Sequence, residues 1–110
     1  MSVSIQDLFN RLPGSFVPEK AANIQARVLF HLTGEKGGDW VVSIQDGTCV
    51  VTSGSENDPS LTFTAEAQDC LDIFYRKLDP TRAFMLGKVR LQGDWSLAMR
   101  LTDLFKIEDF

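Results

Sequence analysis

From Ile24 to Leu32 the chain follows a period of two, with Leu29 the one apolar residue on the polar side. Ile24, Ala26, Val28, Phe30 and Leu32 alternate with Asn23, Gln25, Arg27, Leu29 and His31. A period of two describes a strand with one buried face. The next twenty residues set its neighbours. Thr33 to Asp39 is a loop rich in glycine and charge, and Trp40 to Ile44 returns as an apolar run. Asp46-Gly47 then turns the chain into Cys49 to Thr52. Asp-Gly suits a type I′ turn, in which both central residues need positive φ. Three strands joined by tight turns make an antiparallel meander, whose buried face needs a second layer.

That layer is helical. Ile5, Leu8, Phe9 and Leu12 fall at i, i+3, i+4 and i+7, so a helix is predicted from Ile5 to Leu12. Ser4 and Asp7 resemble a capping box, and Leu12-Pro13-Gly14 is the expected stop. Pro18 to Ala22 reads as a short helical turn with proline first. After the polar loop Ser53 to Ser60, a short fourth strand spans Leu61 to Thr64. Ala67, Cys70, Leu71, Phe74 and Leu78 form the next helical stripe. Asp79 caps a short helix that begins at Pro80 and stops at Gly87. Lys88 to Gln92 is a fifth strand with an apolar and a basic face, and the last helix is expected from Trp95 to Phe105. Length fits one domain over residues 1–110.

The last two helices carry more apolar surface than one sheet can cover. Leu97, Leu101, Leu104 and Phe105 form one stripe, and Trp95, Ala98 and Met99 widen it. A helix lying on a sheet needs an apolar arc of little over ~100°. Ala83-Phe84-Met85-Leu86 is apolar over a full turn. Two readings fit this excess: burial between helices on two sides, or the lining of a cavity or groove for a hydrophobic ligand.

Charge and composition narrow the function classes. The net charge of −4 argues against nucleic acid, which needs a basic face. No apolar run approaches the ~20 residues that span a bilayer. Met1 to Asp7 lacks a signal peptide's basic and apolar regions, and Lys106 to Phe110 is neither a peroxisomal address nor a prenylation box. A cytoplasmic protein is the expectation, with Cys49 and Cys70 as free thiols acting as small hydrophobes. His31 is the single histidine, so a catalytic triad or zinc site is not expected. Asp39, Asp46 and Asp94 are explained by turns and caps. No catalytic residue, metal or cofactor is expected, and the chain is read as a non-enzyme.

Four segments resemble one family. They are Leu12 to Ala22 (LPGSFVPEKAA), Phe30 to Gly34 with Gly37-Gly38-Asp39-Trp40, the Asp46-Gly47 turn, and Ala83 to Asp94 (AFMLGKVRLQGD). In order and spacing they are similar to the sterol carrier protein 2 domain, over nearly the whole chain. The last segment is the most specific. The resemblance implies an α+β fold, with a five-stranded, mostly antiparallel sheet covered on one face by about five helices. It also implies an apolar tunnel between sheet and helices for fatty acids, fatty acyl-CoAs, sterols or isoprenoids. Family members from eukaryotes usually end in a peroxisomal signal, which is absent here, so the chain resembles a free-standing microbial member.

On that reading the ligand is lined by Leu8, Val28, Phe30, Phe63, Phe84, Met85, Val89, Leu91, Leu97, Met99, Leu101 and Phe105. Lys88 and Arg90 share a strand face, either solvated or in contact with anionic headgroups. The expected activity is non-covalent lipid binding and transfer, with the last helix as lid. The expected partners are a lipid ligand and a transient membrane surface, with no nucleic acid, in a monomer or weak homodimer. The alternative is an interaction or accessory module that uses exposed apolar helix surface, for example in lipid or quinone metabolism.

Overall fold

The computed structural model describes residues 4–107. Residues 1–3 and 108–110 lie outside the described residues, and the readings of a leader pattern and a terminal address at the two ends fall outside them too.

The first helix, α1 (Ile5–Ser15), starts with a true capping box. Ser4 Oγ accepts the Asp7 N–H at 3.1 Å, and the Asp7 carboxylate accepts the Ser4 N–H at 3.2 Å. Ile5, Leu8, Phe9 and Leu12 are its buried face. The expected stop at Pro13 is passed by one turn. Proline forfeits one N–H there, but its fixed φ is helical. A 3₁₀ turn over Pro18–Ala21 comes next. Asn23 then takes a left-handed φ of 68°, and Ile24 N–H donates to the Ala21 carbonyl. The first strand therefore begins at Ala26 and not at Ile24.

Five strands form one sheet: β1 (Ala26–Thr33), β2 (Gly38–Gln45), β3 (Thr48–Ser53), β4 (Leu61–Glu66) and β5 (Val89–Gly93), in the order β3-β2-β1-β4-β5. The meander is as expected. The fourth strand lies beside β1 and parallel to it, with Val28 opposite Leu61 and Phe30 opposite Phe63. The other pairings are antiparallel. To reach its place, residues 54–60 cross the sheet's outer face, where Glu56 meets Arg27 at 3.5 Å. Beneath this crossing Val41, opposite Leu29, is buried on the side away from the main core.

The inner face packs on α1, α2 (Ala67–Phe74), α3 (Pro80–Met85) and α4 (Trp95–Arg100). Phe30 is its centre. Its ring lies 5.2 Å from Phe9, 5.1 Å from Phe63 and 6.0 Å from Phe74, all geometries favoured by ring quadrupoles. Trp40 stacks on Phe9 at 4.8 Å. Cys70 is fully buried and Cys49 partly so, both free thiols. Desolvation pushes the Cys49 thiol up to about 11 and raises Cys70 further.

Two helices are shorter than their apolar stripes. The second ends at Phe74 because Arg76 takes φ 62° and the Lys77 and Leu78 N–H groups both turn back to the Asp72 carbonyl. The last ends at Arg100, not Phe105. Leu101–Leu104 tightens into a 3₁₀ turn, and Phe105 is extended and bridges Phe16. Val17 N–H donates to Leu104 O at 2.8 Å and Lys106 N–H to Ser15 O at 2.7 Å. The Phe105 ring packs on Phe16 and Phe74, so core burial there overrides helix continuation.

Candidate functional site

The caps of α3 and α4 are aspartates set by the sequence. Asp79 accepts the Arg82 N–H at 3.0 Å and Asp94 accepts the Leu97 N–H at 3.1 Å. Gly93, just before the second cap, has φ 115°, and a Cβ there would sit 2.4 Å from the Ser60 carbonyl oxygen. Glycine lets this turn close against the start of β4. Both helices are thus fixed over the β4–β5 edge of the sheet, but each has only six residues. Two short helices leave a gap.

The gap is an apolar cavity of about 100 Å³. Phe63, Val89 and Leu91 form its floor, and Ile73 and Phe74 of α2 its back wall. Pro80, Thr81 and Phe84 of α3 face Trp95, Ala98 and Met99 of α4, with Leu101 and Thr102 beyond them. Two threonine hydroxyls and the Trp95 indole N–H are the only side-chain hydrogen-bonding groups of these residues, and no lining residue is ionisable. Such a site can hold a hydrocarbon, and no ionisable side chain in the lining stands beside the two threonine hydroxyls to activate them.

Six of the expected ligand-lining residues meet at this cavity: Phe63, Phe84, Val89, Leu91, Met99 and Leu101. Leu8, Val28 and Phe30 do not. They are fully buried in the core between α1 and the sheet. Leu97 turns toward the core from α4, and Phe105 lies beyond it against Phe16. Met85 is 79% exposed on the outside of α3. Sequence reasoning missed Ile73, Phe74, Pro80, Thr81, Trp95, Ala98 and Thr102. The available signal was the Asp79-Pro80 pair, which folds α3 back toward the end of α2. Lys88 and Arg90 are outside the cavity, in a polar recess with Thr33, Thr64, Glu66 and Asp69.

The mouth is unusually apolar. Phe84, Trp95 and Met99 line the cavity while 38%, 49% and 65% exposed, and Met85 and Leu86 extend the patch along α3. His31 is engaged elsewhere, its Nδ1 2.6 Å from Asp39 Oδ1 across the β1–β2 hairpin. Among the described residues no cluster of side chains could hold a metal ion, and no helix is long and apolar enough to cross a membrane.

The profile of the SCP-2 sterol transfer family matches residues 6–106. Hydroxysteroid dehydrogenase-like protein 2 of Homo sapiens is 31% identical over 104 residues, which is 94% of this chain and 25% of that protein. The chain therefore spans about a quarter of the length of this curated relative. The structure of palmitated SCP2L2 from Aedes aegypti superposes with a TM-score of 0.69 at 22% identity, covering 92% of this chain and 93% of that one. The stereoselective inverting sec-alkylsulfatase Pisa1 from Pseudomonas sp. contains a region that superposes with a TM-score of 0.85 at 20% identity. It covers 97% of this chain and 17% of that enzyme.

Proposed function

Because this chain belongs to the SCP-2 sterol transfer family, we propose that it takes up a single-chain lipid, a fatty acid or fatty acyl thioester, in the α3–α4 cavity and releases it unchanged. The observation that carries this reading is an uncharged lining that opens through an exposed apolar mouth. The palmitated state of the Aedes aegypti protein of the same fold supports an acyl chain as cargo.

The energetics suit a carrier. Each methylene moved out of water gains about 0.8 kcal/mol, so a sixteen-carbon chain gains roughly 12 kcal/mol. A bilayer offers nearly the same gain, so exchange between membrane and protein is close to balanced. The protein's contribution is then kinetic: to open, accept and shield.

Opening is required. At about 100 Å³ the cavity is well below the ~300 Å³ at which ligand pockets begin. The tethers at its far end argue against the last helix swinging as a free lid. Its far end is held by Arg100 Nη2 to the Lys20 carbonyl at 2.8 Å and by the Phe16–Phe105 bridge. The moving parts are α3 and the Trp95 end of α4, which part while the anchored end stays.

Displacement of a fluorescent fatty acid tests this. Wild type binds it, and Leu91→Asp, which buries a charge in the floor, does not. Equal binding by both would refute the cavity as the site.

A second reading is favoured by the lengths of the relatives. The matched region is a quarter of the human relative, and a region of the same fold is 17% of the alkylsulfatase. On this reading the chain presents an apolar substrate to a separate catalyst. Added lipid would then raise the rate of a partner enzyme, without net transfer between vesicles.

A further inference from the structure

The sheet has two edges, and they are built differently. β5 has Lys88 just before it and Arg90 within it. Cations on an edge strand discourage pairing with another chain. β3, at the opposite edge, reads Thr48-Cys49-Val50-Val51-Thr52-Ser53. It has no charge, no proline and no glycine. Its register with β2 runs unbroken from Trp40 opposite Ser53 to Gln45 opposite Thr48, so no bulge turns it away. Thr48, Val50, Val51 and Thr52 are β-branched and suit further pairing. None of the strand is buried, and Val50 is 55% exposed.

The free side of β3 carries a row of backbone groups. Gly54 N–H donates to the Asp39 carbonyl at 2.9 Å, one step beyond the Trp40–Ser53 pair. Bonds alternate along an antiparallel ladder, so Thr48, Val50 and Thr52 are the residues bonded to β2. The N–H and C=O groups of Cys49, Val51 and Ser53 therefore point out of the sheet. Among the described residues no backbone group outside the sheet reaches them. The chain after Ser53 turns away over β1, where Glu56 meets Arg27, and leaves this edge open.

The strand is complementary to itself. About a two-fold axis through Val50, Thr48 of one chain falls opposite Thr52 of the other, Val50 opposite Val50, and Cys49 opposite Val51. Each pair shares a face, because Thr48, Val50 and Thr52 line the outer face and Cys49 and Val51 the inner one. Cys49 and Val51 are also the residues with outward backbone groups, so they exchange N–H···O=C bonds on either side of the axis. Paired threonines and paired β-branched residues are favourable cross-strand neighbours. An isologous contact of this kind consumes the edge and closes at two copies. A strand from an unrelated protein would find no charge on β3 to select it.

We propose that two copies of this chain pair antiparallel through β3 about Val50, joining two five-stranded sheets into one. The cavity lies over β4 and β5 at the far edge, so both mouths stay open and the pairing is independent of cargo.

The test is the mass of the full chain by sedimentation over about a hundredfold range of concentration. The mass is expected to rise from 12.3 kDa toward twice that value. Added salt should strengthen the association, because it screens the repulsion between two chains of net charge −4. Val50→Lys sets two cations face to face at an exposed position, and the dissociation constant is expected to rise at least about tenfold. Register is read by cross-linking in a Cys49→Ser chain. Opposed Cα atoms of a non-hydrogen-bonded pair lie ~4.5 Å apart, within reach of a disulfide. Val50→Cys alone should form a linked dimer on oxidation, whereas Thr48→Cys and Thr52→Cys should link only when mixed. A mass that stays at 12.3 kDa throughout overturns the proposal and leaves the edge to a strand of another protein. Association that Val50→Lys leaves unchanged, or linking by Thr48→Cys alone, puts the contact elsewhere and overturns it as well.

Discussion

Phe84 and Trp95 meet edge to face at the cavity mouth, ring centroids 5.0 Å apart and planes at 89°. One belongs to α3 and the other to α4, so under the proposed opening this contact would break as the two helices part. Edge-to-face pairs contribute about 0.5–1.5 kcal/mol beyond area burial. This pair alone would therefore add little to the cost of the proposed opening.

Removing it speeds exchange. Phe84→Leu keeps the cavity apolar but loses the ring contact. Release of a fluorescent fatty acid, monitored by stopped flow, is expected to accelerate roughly two- to tenfold, the range set by the pair's strength. A double-mutant cycle with Trp95→Leu should show that the two effects do not add. Additive effects would mean that the rings act separately and that the latch lies elsewhere.

Filling the cavity blocks binding without unfolding the protein. Ala98 is partly exposed and lines the cavity from α4. Ala98→Phe places a ring in a space of about 100 Å³. Loss of fatty acid binding is expected, with a thermal midpoint near that of wild type. A variant that folds and binds normally would show that the ligand sits somewhere else.

The core aromatics act on stability and not on cargo. Phe30 is fully buried among Phe9, Phe63 and Phe74 and does not line the cavity. Phe30→Ala is expected to cost about 3–5 kcal/mol in urea unfolding. Phe30→Leu should retain fatty acid affinity within about threefold, since a volume-similar swap preserves the sheet. Selective loss of binding in Phe30→Leu would return this residue to the site.

Much of this fold was legible in the chain. The alternation from Ala26 to Leu32 and the Asp46-Gly47 turn specify the meander directly, because period and turn chemistry are local. Ser4, Asp79 and Asp94 announce three helix starts for the same reason. The parallel pairing of β4 with β1 was not legible, since no local signal tells residues 54–60 which side of the sheet to cross. The end of the last helix was hidden too. Phe105 continues the apolar stripe, yet pairing with Phe16 draws it out of the helix. The cavity was half legible. Phe84 and Met99 stood out as surplus apolar surface, whereas Leu8, Val28 and Phe30 have the same chemistry and only the fold sorts core from lining.

The two thiols respond to pH in a defined direction. Burial raises Cys49 from its ordinary value of 9.0 to about 11, so about one in a thousand is thiolate at pH 8. Its reaction with a disulfide reagent should be slow and rise about tenfold per pH unit up to pH 10. Cys70, on the buried face of α2, should react only on unfolding. Between pH 9 and 11 the unfolded chain loses thiol protons that the folded chain retains, so stability falls as pH rises. Rapid labelling of Cys70 in native buffer would contradict its burial.

Lipid recovery tests the central claim most directly. The purified chain is incubated with a total lipid extract, re-isolated by gel filtration and extracted with organic solvent for mass spectrometry. The account predicts near-stoichiometric recovery of one class of single-chain lipid from wild type and almost none from Ala98→Phe. Recovery of no lipid from folded wild-type protein, or equal recovery from both, would contradict it.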